Sequence, residues 1–159
     1  MDIKLVLTDI DGVWTDGGMY YDRTGNEWKK FNAADGAGIV LLHEAGIKTG
    51  IITGENIEIV RRRAEKLKIE ILKMGAKNKR QALREISQAE NISFENIAYI
   101  GDDVLDIPVF ELVGFSAVPA NAPEYVARHA QYSLNKHGGE GAFREFAEMI
   151  LMKMGLFDQ

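Results

Sequence analysis

The sequence predicts an α/β fold, a doubly wound parallel sheet with helices on both faces. Three observations carry that prediction. Short apolar runs recur at 3–8, 47–52, 69–72, 96–100 and 115–118, too continuous for strands that face water on one side. Segments with apolar residues at helical spacing separate them. Several runs also end on acidic or other polar residues, as strands do where an open sheet presents its carboxyl edge.

Taken in order, Ile3 to Leu7 is unbroken by polar residues after Lys4 and reads as a central strand. It stops at Thr8-Asp9-Ile10-Asp11-Gly12-Val13, and Thr15-Asp16-Gly17-Gly18 then breaks the chain. Met19-Tyr20-Tyr21 and Glu27-Trp28-Lys29-Lys30-Phe31 flank Asp22-Arg23-Thr24-Gly25-Asn26, so a β-hairpin is expected at about 18–31, with Gly25 at positive φ. Its arms carry more apolar surface than an isolated ribbon holds in water. A contact with another subunit is the expectation, and folding back onto the same domain is the alternative. Asn32 to Ala34 lead into Asp35-Gly36-Ala37-Gly38, and a helix is expected from Ile39 to Gly46. The strand 47–52 stops at Thr53-Gly54-Glu55.

Residues 56–67 place Ile57, Val60, Ala64 and Leu67 on one helical face, so Arg61-Arg62-Arg63 fans around that helix instead of forming one patch. A short strand at 69–72 precedes Met74-Gly75-Ala76-Lys77-Asn78-Lys79 and a helix over 79–89, with Leu83 and Ile86 inward. The strand at 96–100 ends at Gly101-Asp102-Asp103-Val104-Leu105-Asp106, and Pro108 suits the first turn of a short helix, 107–112. The last expected strand is 115–118. Helices at 124–130 and 142–154 complete the chain, the latter introduced by Gly138-Gly139-Glu140-Gly141. No repeat or linker interrupts the pattern, which reads as one Rossmann-like domain, 1–159, with the hairpin inserted.

Composition narrows the function. A net charge of −5 argues against a nucleic-acid partner, which wants a basic face. The absence of cysteine excludes disulfides and thiolate chemistry. No signal-like opening and no membrane-length apolar run is present, so a cytoplasmic protein is expected.

The acids carry the chemistry. Asp9 and Asp11 share a face if the strand continues, and two carboxylates so close repel unless a cation joins them or one keeps a proton. An Asx turn is the plain alternative. A parallel sheet brings Asp9/Asp11, Thr53-Gly54, Lys79 and Asp102/Asp103/Asp106 to one edge. Oxygen-only ligands favour magnesium over zinc. A lysine, a hydroxyl and a glycine amide beside that metal suit a phosphate. An Asp with no Ser or His base nearby can itself attack phosphorus, and a carboxyl two residues on can protonate the leaving oxygen and then activate water. On spacing alone, Lys79 reads better as a solvated residue at a helix start.

Together Asp9-Ile10-Asp11-Gly12-Val13, Thr53-Gly54, Lys79 and Gly101-Asp102-Asp103-Val104-Leu105-Asp106 resemble the four motifs of the haloacid dehalogenase superfamily. The hairpin, Phe31-Asn32-Ala33-Ala34-Asp35-Gly36 and Gly138-Gly139-Glu140-Gly141-Ala142-Phe143-Arg144-Glu145 resemble its capless branch of 3-deoxy-D-manno-octulosonate 8-phosphate phosphatases and their nine-carbon relatives. The resemblance implies Asp9 as nucleophile, Asp11 as general acid and base, and Thr53 and Lys79 as phosphate holders. It implies magnesium on Asp9, the Asp11 main-chain carbonyl and Asp102, supported by Asp103 and Asp106. It also implies no cap domain and a homotetramer in which hairpins pair and a neighbouring subunit closes each site. Glu55, with Arg63 and Lys66, is similar to the branch acting on 2-keto-3-deoxy-nonulosonate 9-phosphate, and the implied substrate class is a small sugar acid phosphate. For these three, surface positions on a helix are the alternative. Two other functions compete: a receiver-like phosphoacceptor domain, which has no use for Asp11 or the hairpin, and a catalytically retired sugar-phosphate-binding subunit.

Overall fold

The first strand, β1 (Leu5–Thr8), is buried at every position and forms the middle of the molecule. The structure, a computed structural model, describes residues 1–157. After β1 come the hairpin strands β2 (Tyr20–Tyr21) and β3 (Glu27–Trp28), helix α1 (Ala33–Glu44), β4 (Lys48–Ile52) and α2 (Glu58–Lys66). The chain continues through β5 (Ile71–Lys73), α3 (Lys79–Glu90), β6 (Ile97–Ile100), α4 (Ile107–Phe110) and β7 (Phe115–Val118). It ends with α5 (Glu124–Ala127), β8 (Tyr132–Ser133) and α6 (Ala142–Lys153).

The main sheet runs β5-β4-β1-β6-β7-β8, and its ladders are parallel. The strand order reverses between β1 and β6, the switch point where such sheets open a crevice at their carboxyl ends. Thr8 is level with Ile51 on one side and Ile100 on the other, so the residues just beyond each strand emerge at one edge. Two apolar layers cover the sheet. Ile39 and Leu42 of α1, Val60 and Ala64 of α2, and Phe143, Phe146 and Ile150 of α6 fill one. Leu83 and Ile86 of α3, Val109 and Phe110 of α4, and Val126 of α5 fill the other. The predicted doubly wound sheet is therefore the observed one.

Three expectations need correction. Helix α1 begins at Ala33, not Ile39, because Asn32 caps it by accepting from the Ala34 amide at 2.9 Å. Gly36 and Gly38 lie inside that helix, and a Cβ on Gly38 would stand 3.2 Å from the Arg144 Cα, so glycine allows α1 and α6 to approach closely. Strand β5 starts two residues later than 69, because the end of α2 reaches further: Lys68 turns left-handed (φ 57) and the Ile69 amide bonds back to the Ala64 carbonyl at 2.9 Å. The third is β8, a two-residue edge strand too short to leave a periodic signal.

The hairpin forms with Tyr20 opposite Trp28 and Tyr21 opposite Glu27, and Gly25 takes φ +80. Met19, Tyr20, Tyr21 and Trp28 are about half exposed, whereas Phe31 packs against the core. Among the described residues no helix is long and apolar enough to cross a membrane.

Candidate active site

Asp9 directly follows β1 and is buried. One carboxylate oxygen accepts from the Ile10 amide at 2.7 Å, and the other lies 2.8 Å from the Lys79 ammonium. Lys79 begins α3, where Asn78 caps the helix by accepting from the Gln81 amide, and its side chain turns inward to 3% exposure. There it also meets Asp106 at 2.6 Å. Asp106 is saturated. Its Oδ1 accepts from Lys79 and from the Tyr99 hydroxyl at 2.5 Å, and its Oδ2 from the Asp102 and Asp103 amides at 2.9 and 3.0 Å. The third acid of the Asp102-Asp103-Asp106 group thus orders the loop that presents Asp102. Asp103 is exposed and caps the 3-10 turn after it.

Carboxylate oxygens of Asp9, Asp102 and Asp106 all lie within 4.8 Å of one another. Asp102 is pushed up to about 8, first by burial and then by the charges of Asp9 and Asp106. Asp9 is raised to about 6 by burial, with Lys79 opposing the rise. Burial works against the Lys79 ammonium too, but Asp9 and Asp106 outweigh it and its pKa is raised. Three carboxylates balanced by one ammonium leave a buried negative excess, and a hard divalent cation is the group that relieves it. Gly12 leaves room for this: a Cβ there would fall 1.8 Å from an Asp102 oxygen, and its φ of +84 suits glycine.

Asp9, Asp11, Thr53, Gly54, Glu55, Lys79, Asp102, Asp103 and Asp106 line one open cavity of about 490 Å³. Thr53 is buried just past β4, its amide bonded to the Lys73 carbonyl. Arg63 and Lys66 stand elsewhere. Arg63 lies over the Phe31 ring at 5.7 Å, and Lys66 is exposed on α2.

Two residues of this neighbourhood escape a reading of the sequence. Tyr99 is fully buried in β6, where an aromatic in an apolar strand reads as core, yet its hydroxyl tethers Asp106. Lys29 sits on a hairpin arm beside a second lysine and reads as solvated. Its side chain is instead 0% exposed, 2.6 Å from Asp11 and 3.1 Å from Glu55. The Gly138-Gly139 segment proves to be architectural. It threads against the Gly12–Thr15 turn, and Asn121 binds both, donating to the Gly12 carbonyl at 3.1 Å and accepting from the Gly138 amide at 2.7 Å.

A family model described as haloacid dehalogenase-like hydrolase matches residues 61–145. The 3-deoxy-D-manno-octulosonate 8-phosphate phosphatase of Haemophilus influenzae is 41% identical over 97% of this chain and 86% of its own length. The chain belongs to the haloacid dehalogenase-like hydrolases. Within that family it stands with the octulosonate phosphatases, and it is a phosphoric monoester hydrolase. A probable YrbI family phosphatase from Pseudomonas syringae pv. phaseolica superposes with a TM-score of 0.96 at 43% identity, covering 98% of this chain and 88% of that one. The octulosonate phosphatase of Moraxella catarrhalis, solved with magnesium, phosphate and KDO, superposes at 0.92 with 37% identity over 94% and 86% of the two chains. The chain shares their Rossmann-like fold, with no cap domain among the described residues.

Proposed function

We propose that this protein is a magnesium-dependent phosphatase that removes the terminal phosphate of a 2-keto-3-deoxy sugar acid through an aspartyl-phosphate intermediate. The observation that carries the reading is Asp9, held between Lys79 and the Asp102 carboxylate at the floor of an open cavity. Asp9 attacks phosphorus, a bond to its carboxylate oxygen forms, and the bond to the sugar oxygen breaks. Asp11 lines the same cavity and donates a proton to that leaving oxygen, then takes one from the water that hydrolyses the acyl phosphate. Lys79, Thr53 and the Gly54 amide hold the phosphate oxygens. Asp9, the Asp11 main-chain carbonyl and Asp102 would hold magnesium, which supplies charge neutralisation at a phosphate oxygen when bound. Asp106 holds Lys79 and the Asp102 loop in place, and Asp103 caps that loop.

Of the relatives named above, the Haemophilus influenzae enzyme is named for the eight-carbon acid phosphate and the Moraxella catarrhalis enzyme was solved with KDO. We favour the nine-carbon acid phosphate for this chain, on the strength of Glu55. That carboxylate stands at the cavity wall, placed to accept hydrogen bonds from sugar hydroxyls. Arg63 and Lys66 do not line the cavity of their own chain, so a part in recognition would need the neighbouring subunit that a homotetramer built on the exposed hairpins brings. The test compares kcat/KM for the eight- and nine-carbon phosphates in the parent, Glu55→Ala and Lys66→Ala proteins, with Asp9→Asn as the inactive control. Preference for nine carbons, lost in both variants, is expected. Preference for the octulosonate, untouched by either substitution, reverses the assignment. Light scattering on Trp28→Ser tests the hairpin: the parent should be a tetramer and the variant smaller.

A further inference from the structure

The hairpin arm carries one side chain that its exposed aromatics do not explain. The Lys29 side chain is 0% exposed, although the residue as a whole is only half-buried and an isolated ammonium is among the groups most costly to remove from water. It is kept there by carboxylates from three separate segments. Asp11 after β1 is at 2.6 Å, Glu55 after β4 at 3.1 Å, and Glu27 of the hairpin itself at 3.8 Å. Lys29 contacts Asp11 through Oδ1 alone, leaving Oδ2 without a hydrogen bond among the described residues. It does not line the cavity, so it acts only through the acids it holds.

We propose that Lys29 is a positioning residue for the phosphatase reaction, one ammonium that fixes both the Asp11 carboxylate for proton transfer and Glu55 for recognition of the leaving group. The inference rests on the roles proposed for Asp11 and Glu55 above. An ion pair at Oδ1 removes the rotational freedom of a carboxylate on a short side chain and leaves Oδ2 uncommitted for the proton. The same ammonium ties Glu55 to that carboxylate, so the group that recognises the sugar and the group that protonates its oxygen sit in a fixed relation. The insertion thereby enters the chemistry of its own subunit, apart from any contact it makes with another.

Leaving groups separate this from a purely structural role. Sugar acid phosphates and glycerol 3-phosphate expel an alkoxide that needs a proton, whereas p-nitrophenyl phosphate expels a phenolate that does not. Only the sugar acid is long enough to use Glu55. In Lys29→Met, kcat/KM is expected to fall about tenfold for glycerol 3-phosphate and about a hundredfold for the sugar acid phosphate, while p-nitrophenyl phosphate stays within about threefold. Retained hydrolysis of p-nitrophenyl phosphate also reports a folded site. Lys29→Gln, which can still donate to one carboxylate, should fall between parent and Met variant. Equal losses on all three substrates in both variants, no loss, or a loss confined to the sugar acid would each overturn the proposal. Asp11→Asn in the parent background is the companion measurement. If it fails to separate glycerol 3-phosphate from p-nitrophenyl phosphate, the acid assignment of Asp11 fails, independently of Lys29.

Discussion

Replacing Lys79 by Met should destabilise the metal-free protein more than any other single change at the site. The ammonium is 3% exposed and lies 2.8 Å from Asp9 and 2.6 Å from Asp106, with Asp102 in the same cluster. Methionine keeps the apolar stem but leaves three acids with no counter-charge. Removing one partner of a buried pair costs about 3–5 kcal/mol. In a domain of this size each kcal/mol moves Tm by about 2–4 °C, so a fall of roughly 6–20 °C is expected. Asp9 and Asp102 already hold protons more readily than ordinary aspartates, at about 6 and about 8, and protonation offers the variant partial relief. The loss should therefore be smaller at pH 6 than at pH 9. Magnesium should recover part of it, since a ligand at a hundred times its Kd stabilises by about 2.7 kcal/mol, and more in the variant, where nothing else offsets the acids. Calorimetry in EDTA and in magnesium, at both pH values, measures all of this. A Tm within about 2 °C of the parent in EDTA at pH 9, unchanged by magnesium, would refute the electrostatic account of the cluster.

Three further outcomes follow from single residues. Asp35, in the first turn of α1, is fully buried against the start of α6, accepting from the Arg144 amide at 3.0 Å, and burial lifts its carboxyl from the ordinary 3.8 to about 6. The native state then binds its proton more tightly than the unfolded chain, so its contribution is full below about pH 4 and declines by about 3 kcal/mol as pH rises to 6, in order of magnitude; urea titrations from pH 4 to 7 should show that slope in the parent and not in Asp35→Asn. Lys68→Gly should gain about 0.5–1 kcal/mol in the same urea assay, because the left-handed conformation at φ 57 favours glycine. Gly12→Ala should keep the fold but lower kcat by about a hundredfold or more, since its Cβ displaces the Asp102 carboxylate; kinetics beside a thermal melt distinguish the two effects.

Five of the six strands in the sheet were legible because each is a short apolar run, β8 being the exception, and the acids at the ends of β1 and β6 declared the edge where they would meet. What escaped was set by contacts between distant segments. Nothing local marks Lys29 as buried; its partners Asp11 and Glu55 come from other strands. Tyr99 carries no local sign that its hydroxyl serves Asp106, which arrives from the following turn. Two glycines made the first half of α1 look like a loop, yet Gly38 is there because α6 needs the space, and Asn32 supplies the start signal. Arg63 and Lys66 enter only through the resemblance to the nine-carbon branch, and neither lines the cavity of its own chain.

The Asn121 amide has a bearing on how the protein comes into being. It fastens a turn from the twelfth residue to one from the hundred-and-thirty-eighth, beneath the loop that carries the first two acids. A nascent chain that has built β1, β4 and β6 already owns most of its ionisable machinery, but not the strap that sets the angle of that loop. A chain cut before residue 138 would keep every acid of the site and lose that strap, so its turnover is expected to fall with the ionisable groups all in place.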